Sequence, residues 1–389
     1  MEIRPGIHLG YCTNIHRGET WAETFSALDR HTMEVRERVT EPGEPYGIGL
    51  RLSARAAEEL AGDSAALSDF RFWLDTNNCY LYTINGFPYG TFHGSRVKEQ
   101  VYLPDWSSPE RLAYTNRLFE LLIGLAPEGM PLSVSTLPGS FKEFIAAEPE
   151  RRPEILKNLR ACSDHLDHLG DRFGRDLHLG LEPEPLGYFE TTPETVAFFG
   201  QLLDGESGSR QERILQNIGV NYDTCHLALE YEEPEEALGR LVDAGIRLSK
   251  IHLSSALRAT PTASACHRLA SFADDVYLHQ VIVRQGEAVV RRFKDLPEAL
   301  QWADSAPDPG EEWRIHFHIP LHADPAEPDF GDTRDHLLGT WRFLENHPGL
   351  CSHFEMETYT WEVLPESLRS GSVVDQLVRE YEWCRREWP

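Results

Sequence analysis

The sequence predicts a single (β/α)₈ TIM barrel. Three observations carry that expectation: short β-rich runs alternate with longer helical patterns, eight such runs can be picked out, and acidic or imidazole side chains close the last four of them. The strands are expected at roughly Ile7–Thr13, Gly47–Leu52, Cys79–Asn85, Leu132–Leu137, Leu177–Pro183, Ile218–Thr224, Leu248–Ser254 and Ser352–Tyr359. Amphipathic helices lie between them. Pro109–Leu125 sets Leu112, Leu118, Leu121 and Leu122 among polar residues, and Glu154–Gly170 repeats the pattern.

The 389 residues suit one such barrel with an insertion, so residues 1–389 are expected to form a single domain. The spacing between strands seven and eight is too long for one βα unit, and residues from about 260 to 322 read as the insertion. Within it Val276–Arg284 and Ala288–Phe293 flank Gln-Gly-Glu like a hairpin, a short helix follows, and Trp313–Ile319 is strand-like again. Its expected role is a substrate lid or an interface. Asp304–Glu312 and Ala323–Asp332 are proline- and acid-rich loops.

Composition narrows the function classes. Hydrophobic residues make up 41% and charged residues 26%, enough apolar material for a sizeable core. No stretch reaches the ~20 apolar residues of a membrane span, and the N-terminus lacks the basic and apolar regions of a signal peptide, so membrane insertion is not expected and a cytoplasmic protein is. Seven scattered cysteines without a CxxC pair argue against a disulfide framework or a zinc ribbon. The formal net charge of -26 repels phosphate backbones, so nucleic acid is not an expected partner, whereas a small molecule held through a cation is.

The chemistry concentrates at the ends of strands five to eight, which converge on one pocket in a barrel. Strand five ends LGLEPEP, with Glu182 and, two residues on, Glu184. Strand six ends VNYDTCH, with Asp223 and His226. Strand seven reads KIHLSSA around His252, and strand eight reads HFEMETYTW, with Glu355 and Glu357 on one face. Burying an ionised carboxylate costs several kcal/mol unless it is paired, so Glu182 and Glu357 in apolar strands call for a cation or an arginine. Glu182, Asp223, His252 and Glu357 are therefore the expected ligands of one divalent ion, for which Mn²⁺, Mg²⁺, Co²⁺ and Zn²⁺ all suit the donor types. Glu357, nearer the C-terminal end of its strand, is expected to bind in preference to Glu355.

This set resembles the metal signature of the xylose isomerase-like barrels, a superfamily of sugar isomerases, ketose 3-epimerases and endonuclease IV. The resemblance to the epimerases implies that His226, Arg258 and Glu190 contact the sugar, with Glu184 a rival to Glu190 because the loop EPEPLGYFE is longer than the family pattern. Strand four ends STLPGS, with Leu137 where the nuclease branch has a zinc-binding histidine, so its complete trinuclear site is not expected. The motifs YCTNIH, VYLHQVIVR and METYTW resemble the metabolite-traffic protein EboE family over most of the chain. That resemblance implies a role in handling or exporting a secondary metabolite, with partner proteins from the same gene cluster.

Two further histidines are candidates for substrate contact. His318, in IHFHIPLH, shares a strand face with His316, and His16, in NIHRGE, lies just past strand one. The leading functional expectation is a metal-dependent isomerase or epimerase of a polyhydroxylated carbonyl compound, free or phosphorylated, with Glu182 and Glu357 as proton-transfer bases. The alternatives are a metal-containing metabolite carrier without turnover and a metal-dependent hydrolase.

Overall fold

The inner strands are buried on both faces, yet they alternate apolar residues with polar or small ones. In the computed structural model, residues 1–91, 97–323, 328–359 and 371–388 are described. Residues 324–327 of the expected loop Ala323–Asp332, and Thr360 and Trp361 of the METYTW motif, lie outside them. The strands are β1 (Glu2–Arg4), β2 (Ile7–Tyr11), β3 (Tyr46–Arg51), β4 (Cys79–Asn85), β5 (Leu132–Thr136), β6 (Leu177–Leu181), β7 (Ile218–Asp223), β8 (Leu248–Leu253), β9 (Leu257–Ala259), β10 (Val281–Gln285), β11 (Ala288–Phe293), β12 (Glu312–Ile315), β13 (Phe330–Asp332) and β14 (His353–Met356).

One sheet runs in the order β1-β2-β14-β8-β7-β6-β5-β4-β3, with β1 antiparallel at its edge and the other eight strands parallel. A parallel bridge between Cys12 and Gly49 joins the two ends and closes the barrel. The expected TIM barrel is present. Several strands stop one to three residues short of their expected ends because the next residues serve the connection. Asp223, for instance, accepts the N–H groups of Cys225 and His226 and starts the helix Thr224–Leu229. The helix Pro109–Leu125 has the expected bounds, and Arg151–Phe173 extends past the expected Glu154–Gly170 until Gly174, at φ 62°, ends it.

The two-residue period of the strands decides what enters the barrel. On β8, Ile251 and Leu253 join the hydrophobic core while Lys250 and His252 meet Glu355 inside. On β14 the core takes Phe354 and Met356, leaving His353 and Glu355 inward; on β7 it takes Val220 and Tyr222, leaving Asn221 and Asp223. The barrel axis is thus polar. Such a column needs room, and Gly49 supplies it, since a Cβ there would collide with the Glu355 carboxylate.

Between β8 and the helix Arg334–Asn346 the chain builds a second, antiparallel sheet in the order β11-β10-β12-β9-β13. It has its own core, in which Leu257, Val281, Val283, Trp313 and Ile315 pack with Leu269 and Leu296. The hairpin expected here forms, but its first strand starts at Val281 rather than Val276, because Asp274 Oδ1 accepts the N–H groups of Val276 and Tyr277 in a turn. Likewise β12 ends at Ile315. Beyond it the chain crosses to the barrel, where Ile319 N–H donates to Ser255 O at 2.9 Å.

Candidate metal centre

Four strand ends deliver the expected ligand set to one place: a donor atom from each of Glu182, Asp223, His252 and Glu357 lies within 4.8 Å of every other, and all four residues are buried. The three carboxylates are arranged alike. Each has one oxygen held by a neutral donor: Glu182 Oε2 by Asn221 Nδ2 at 2.7 Å, Asp223 Oδ1 by Ser254 Oγ at 2.6 Å and Glu357 Oε1 by Asn14 Nδ2 at 2.7 Å. The other oxygens, Glu182 Oε1, Asp223 Oδ2 and Glu357 Oε2, face His252 Nδ1 at 3.2, 3.6 and 3.0 Å.

One nitrogen cannot serve three anions. Asp223 Oδ2 is buried without a hydrogen-bond partner, at the position a cation would fill. Neighbouring donors around a divalent ion with bonds of about 2.0–2.2 Å stand roughly 3.0–3.5 Å apart, which the His252 separations approach. The residues therefore fit a divalent cation. Burial would depress the His252 imidazole, but Glu357 and Glu182 outweigh it and hold the group well above the ordinary histidine value. Its proton occupies the electrostatic place of the ion. On its far side, His252 Nε2 meets Glu355 Oε2 at 3.2 Å, and Glu355 is ion-paired with the buried Lys250. Burial opposes ionisation of Glu355, yet Lys250 and His252 bring its carboxyl down to about 2. Glu355 thus orients the imidazole from behind, while Glu357 faces the ligand cluster.

Beside this cluster three imidazoles converge. The Nε2 atoms of His226, His316 and His318 are 3.2, 3.2 and 3.3 Å apart. The Nδ1 atoms of His226 and His318 lie 3.1 Å from Pro183 O and 2.9 Å from Glu357 O, and a carbonyl can only accept, so both protons sit on Nδ1. Their Nε2 lone pairs then face each other. Burial keeps His226 and His316 below the usual histidine range. Two of these imidazoles are carried by the segment that runs from β12 to the barrel, and the His316–His318 spacing of two was their only trace in the sequence.

A cavity opens above the carboxylates, with Asn14, Asn85, Glu182, Glu184, His226, His316 and Glu357 on its polar side. Glu184, the expected rival to Glu190, lines it, with a buried Oε1 that has no hydrogen-bond partner. Burial, reinforced by Glu182, pushes this carboxyl well above the ordinary range. Other expected contacts lie elsewhere. Arg258 sits on β9 between Leu257 and Ala259, which both enter the second core, so its guanidinium turns to Glu312 and Asp335, 3.9 Å from each. Glu190 binds Lys142 and accepts Leu186 N–H at 2.7 Å. His16 meets Tyr11 Oη at 2.9 Å and lines a separate small cleft with Arg17 and Arg51. Asn85 and Asn221 are neighbours of the carboxylates that sequence reasoning missed, because neutral amides carry no charge signal.

Among the described residues no helix is long and apolar enough to cross a membrane. No family model matches the chain, and no curated protein does. Among solved structures, a D-psicose 3-epimerase is similar over 98% of this chain and 96% of its own, at 12% identity and a TM-score of 0.46. The probable 3-DHS dehydratase AsbF of Bacillus anthracis is similar over 97% and 98%, at 13% identity and a TM-score of 0.46. A xylose isomerase domain protein of Planctomyces limnophilus is similar over 90% and 87%, at 13% identity and a TM-score of 0.45.

Proposed function

We propose that the protein is a divalent-metal-dependent isomerase or epimerase of a polyhydroxylated carbonyl compound. The observation that carries this reading is the convergence of Glu182, Asp223, His252 and Glu357 under a cavity that Glu182 and Glu357 themselves line. A divalent cation held there would act as a Lewis acid on a carbonyl oxygen. The chain's own residues do the rest. Asn221 and Asn14 fix Glu182 Oε2 and Glu357 Oε1 while the other oxygen of each faces the shared centre, and the two carboxylates so oriented take or return a proton at the substrate carbon. His226, which also lines the cavity, and Glu184, with its partnerless oxygen, hold substrate hydroxyls.

With Mn²⁺ and a panel of ketoses in D₂O, the protein should place deuterium on the carbon next to the carbonyl. Glu182→Gln and Glu357→Gln should each abolish that exchange. Tight, metal-dependent binding with neither deuterium uptake nor product would instead identify a carrier, the role that the likeness to the metabolite-traffic EboE family suggests.

The three facing imidazoles favour a second reading. Nε2 separations of 3.2 and 3.3 Å would let these rings share a further cation with His316 deprotonated at Nε2, and a two-ion centre suits hydrolysis. Oxygen from H₂¹⁸O appearing in a cleaved product would establish it.

A further inference from the structure

The lining of the cavity above the carboxylates is apolar as well as polar. Its apolar lining includes Leu186, Leu278 and two edge-to-face aromatic pairs, Phe87–Tyr102 with ring centroids 5.6 Å apart and Tyr277–Tyr359 at 5.5 Å. Among the described lining residues the one lysine or arginine is Lys98, and its Nζ is ion-paired with Asp295 at 2.6 Å. Burying a phosphoryl dianion against a leucine and aromatic rings costs far more than burying an apolar body there.

Leu186 is held in place against its own backbone preference. It has φ 66°, a left-handed conformation that a branched side chain rarely adopts and that persists only where its surroundings impose it. They do. Its N–H donates to Glu190 Oε2 at 2.7 Å, its carbonyl accepts Lys142 N–H at 3.0 Å, and Glu190 is itself fixed by Lys142 and by Gln280 Nε2 at 3.1 Å. Glu190 is a positioning residue for an apolar wall. A backbone strained to present a leucine, where glycine would relax it, marks that side chain as serving the cavity.

We propose that the substrate has two unlike parts: a polyoxygenated carbonyl head on the carboxylate floor, and an apolar, ring-sized body against Leu186 and the aromatic pairs. This rests on the metal-floor reading above. It makes a free sugar, which lacks the apolar body, an incomplete ligand.

Three hydroxamates test it, because they share a head of two adjacent oxygens and differ in the body: acetohydroxamate, benzohydroxamate and phosphonoacetohydroxamate. Calorimetric titration of the Mn²⁺-loaded protein should give benzohydroxamate a Kd about tenfold below that of acetohydroxamate, with the phosphonate the weakest. Leu186→Gly accommodates the positive φ and should keep the parent's Tm and metal content while erasing most of the benzohydroxamate preference. Equal affinity for the methyl and phenyl compounds, tightest binding of the phosphonate, or a preference unchanged in Leu186→Gly would each overturn the inference while leaving the metal floor standing. Failure of all three to bind, or binding that is indifferent to Mn²⁺, would remove the metal-floor reading and this inference with it.

Discussion

The two ends of the barrel interior are both polar and buried, yet they differ in charge and in aim. At the N-terminal end His8, His178 and His353 lie inward, with His178 and His353 stacked at 5.3 Å, and burial keeps these imidazoles below the ordinary value. Neither His178 nitrogen has a hydrogen-bond partner. At the C-terminal end partnerless oxygens also occur, but there carboxylates surround one imidazole and their free oxygens point at a shared centre. An orphaned polar atom is therefore common to both ends and identifies nothing by itself. Convergence of like charge does.

The largest expected effect tests that contrast directly. Asp223→Asn or His252→Ala should lower divalent-metal affinity by more than about a hundredfold, measured by elemental analysis after dialysis, whereas His178→Leu should leave the metal content unchanged. His178→Leu should also not lower Tm, since it replaces a buried imidazole without partners. Loss of metal in His178→Leu would erase the distinction between the two ends.

Within the C-terminal end, Glu357→Gln should weaken metal binding more than Glu355→Gln. The first removes an oxygen 3.0 Å from His252 Nδ1; the second removes a support behind the ring, for which losses of about 10–100-fold are usual. The reverse order in metal titrations would make Glu355 the ligand.

Between the two ends, Gly49→Ala should cost about 1–3 kcal/mol in chemical denaturation, because the new methyl must displace the Glu355 carboxylate from its place between Lys250 and His252. Unchanged stability would mean that the polar column has slack.

The smallest expected effect concerns Glu380, a carboxyl beside the C-terminal end whose Oε1 accepts Thr358 Oγ1 at 2.7 Å and Leu321 N–H at 3.0 Å. Burial raises it to about 7. A carboxyl raised on folding binds its proton more tightly in the native state, so its contribution to stability falls as pH rises from the ordinary glutamate range through about 7. Glu380→Gln should gain on the order of 1–2 kcal/mol over the parent at pH 8 and little at pH 5, read from urea melts. An equal gain at both pH values would contradict the buried proton.

The barrel and the convergence of Glu182, Asp223, His252 and Glu357 were legible because both leave periodic traces. Alternation on β7, β8 and β14 separates inward Asp223, His252 and Glu355 from the apolar residues beside them, and charge in an apolar strand stands out. Residues beyond the strand ends were read less well, since no period governs them. Arg258 was assigned by resemblance to a place near the substrate, although the alternation Leu257-Arg258-Ala259 already turns it away from the apolar face. His16 follows the short turn Thr13–Ile15, and in that turn it is Asn14 that reaches Glu357. The bond that pins Leu186 depends on a folded loop, and nothing in EPEPLGYFE announces a leucine at positive φ.

One contact has a consequence for how the molecule holds together. Asn14 follows the first parallel strand and Glu357 follows the last, and their side chains meet at 2.7 Å across neighbouring strands. A cation on Glu357 would thereby be linked to the junction where the chain's two termini are sewn into one ring. Occupancy would latch that junction, and its fraying, measured by hydrogen exchange in β2 and β14, would slow with metal concentration as any binding confined to the closed form requires.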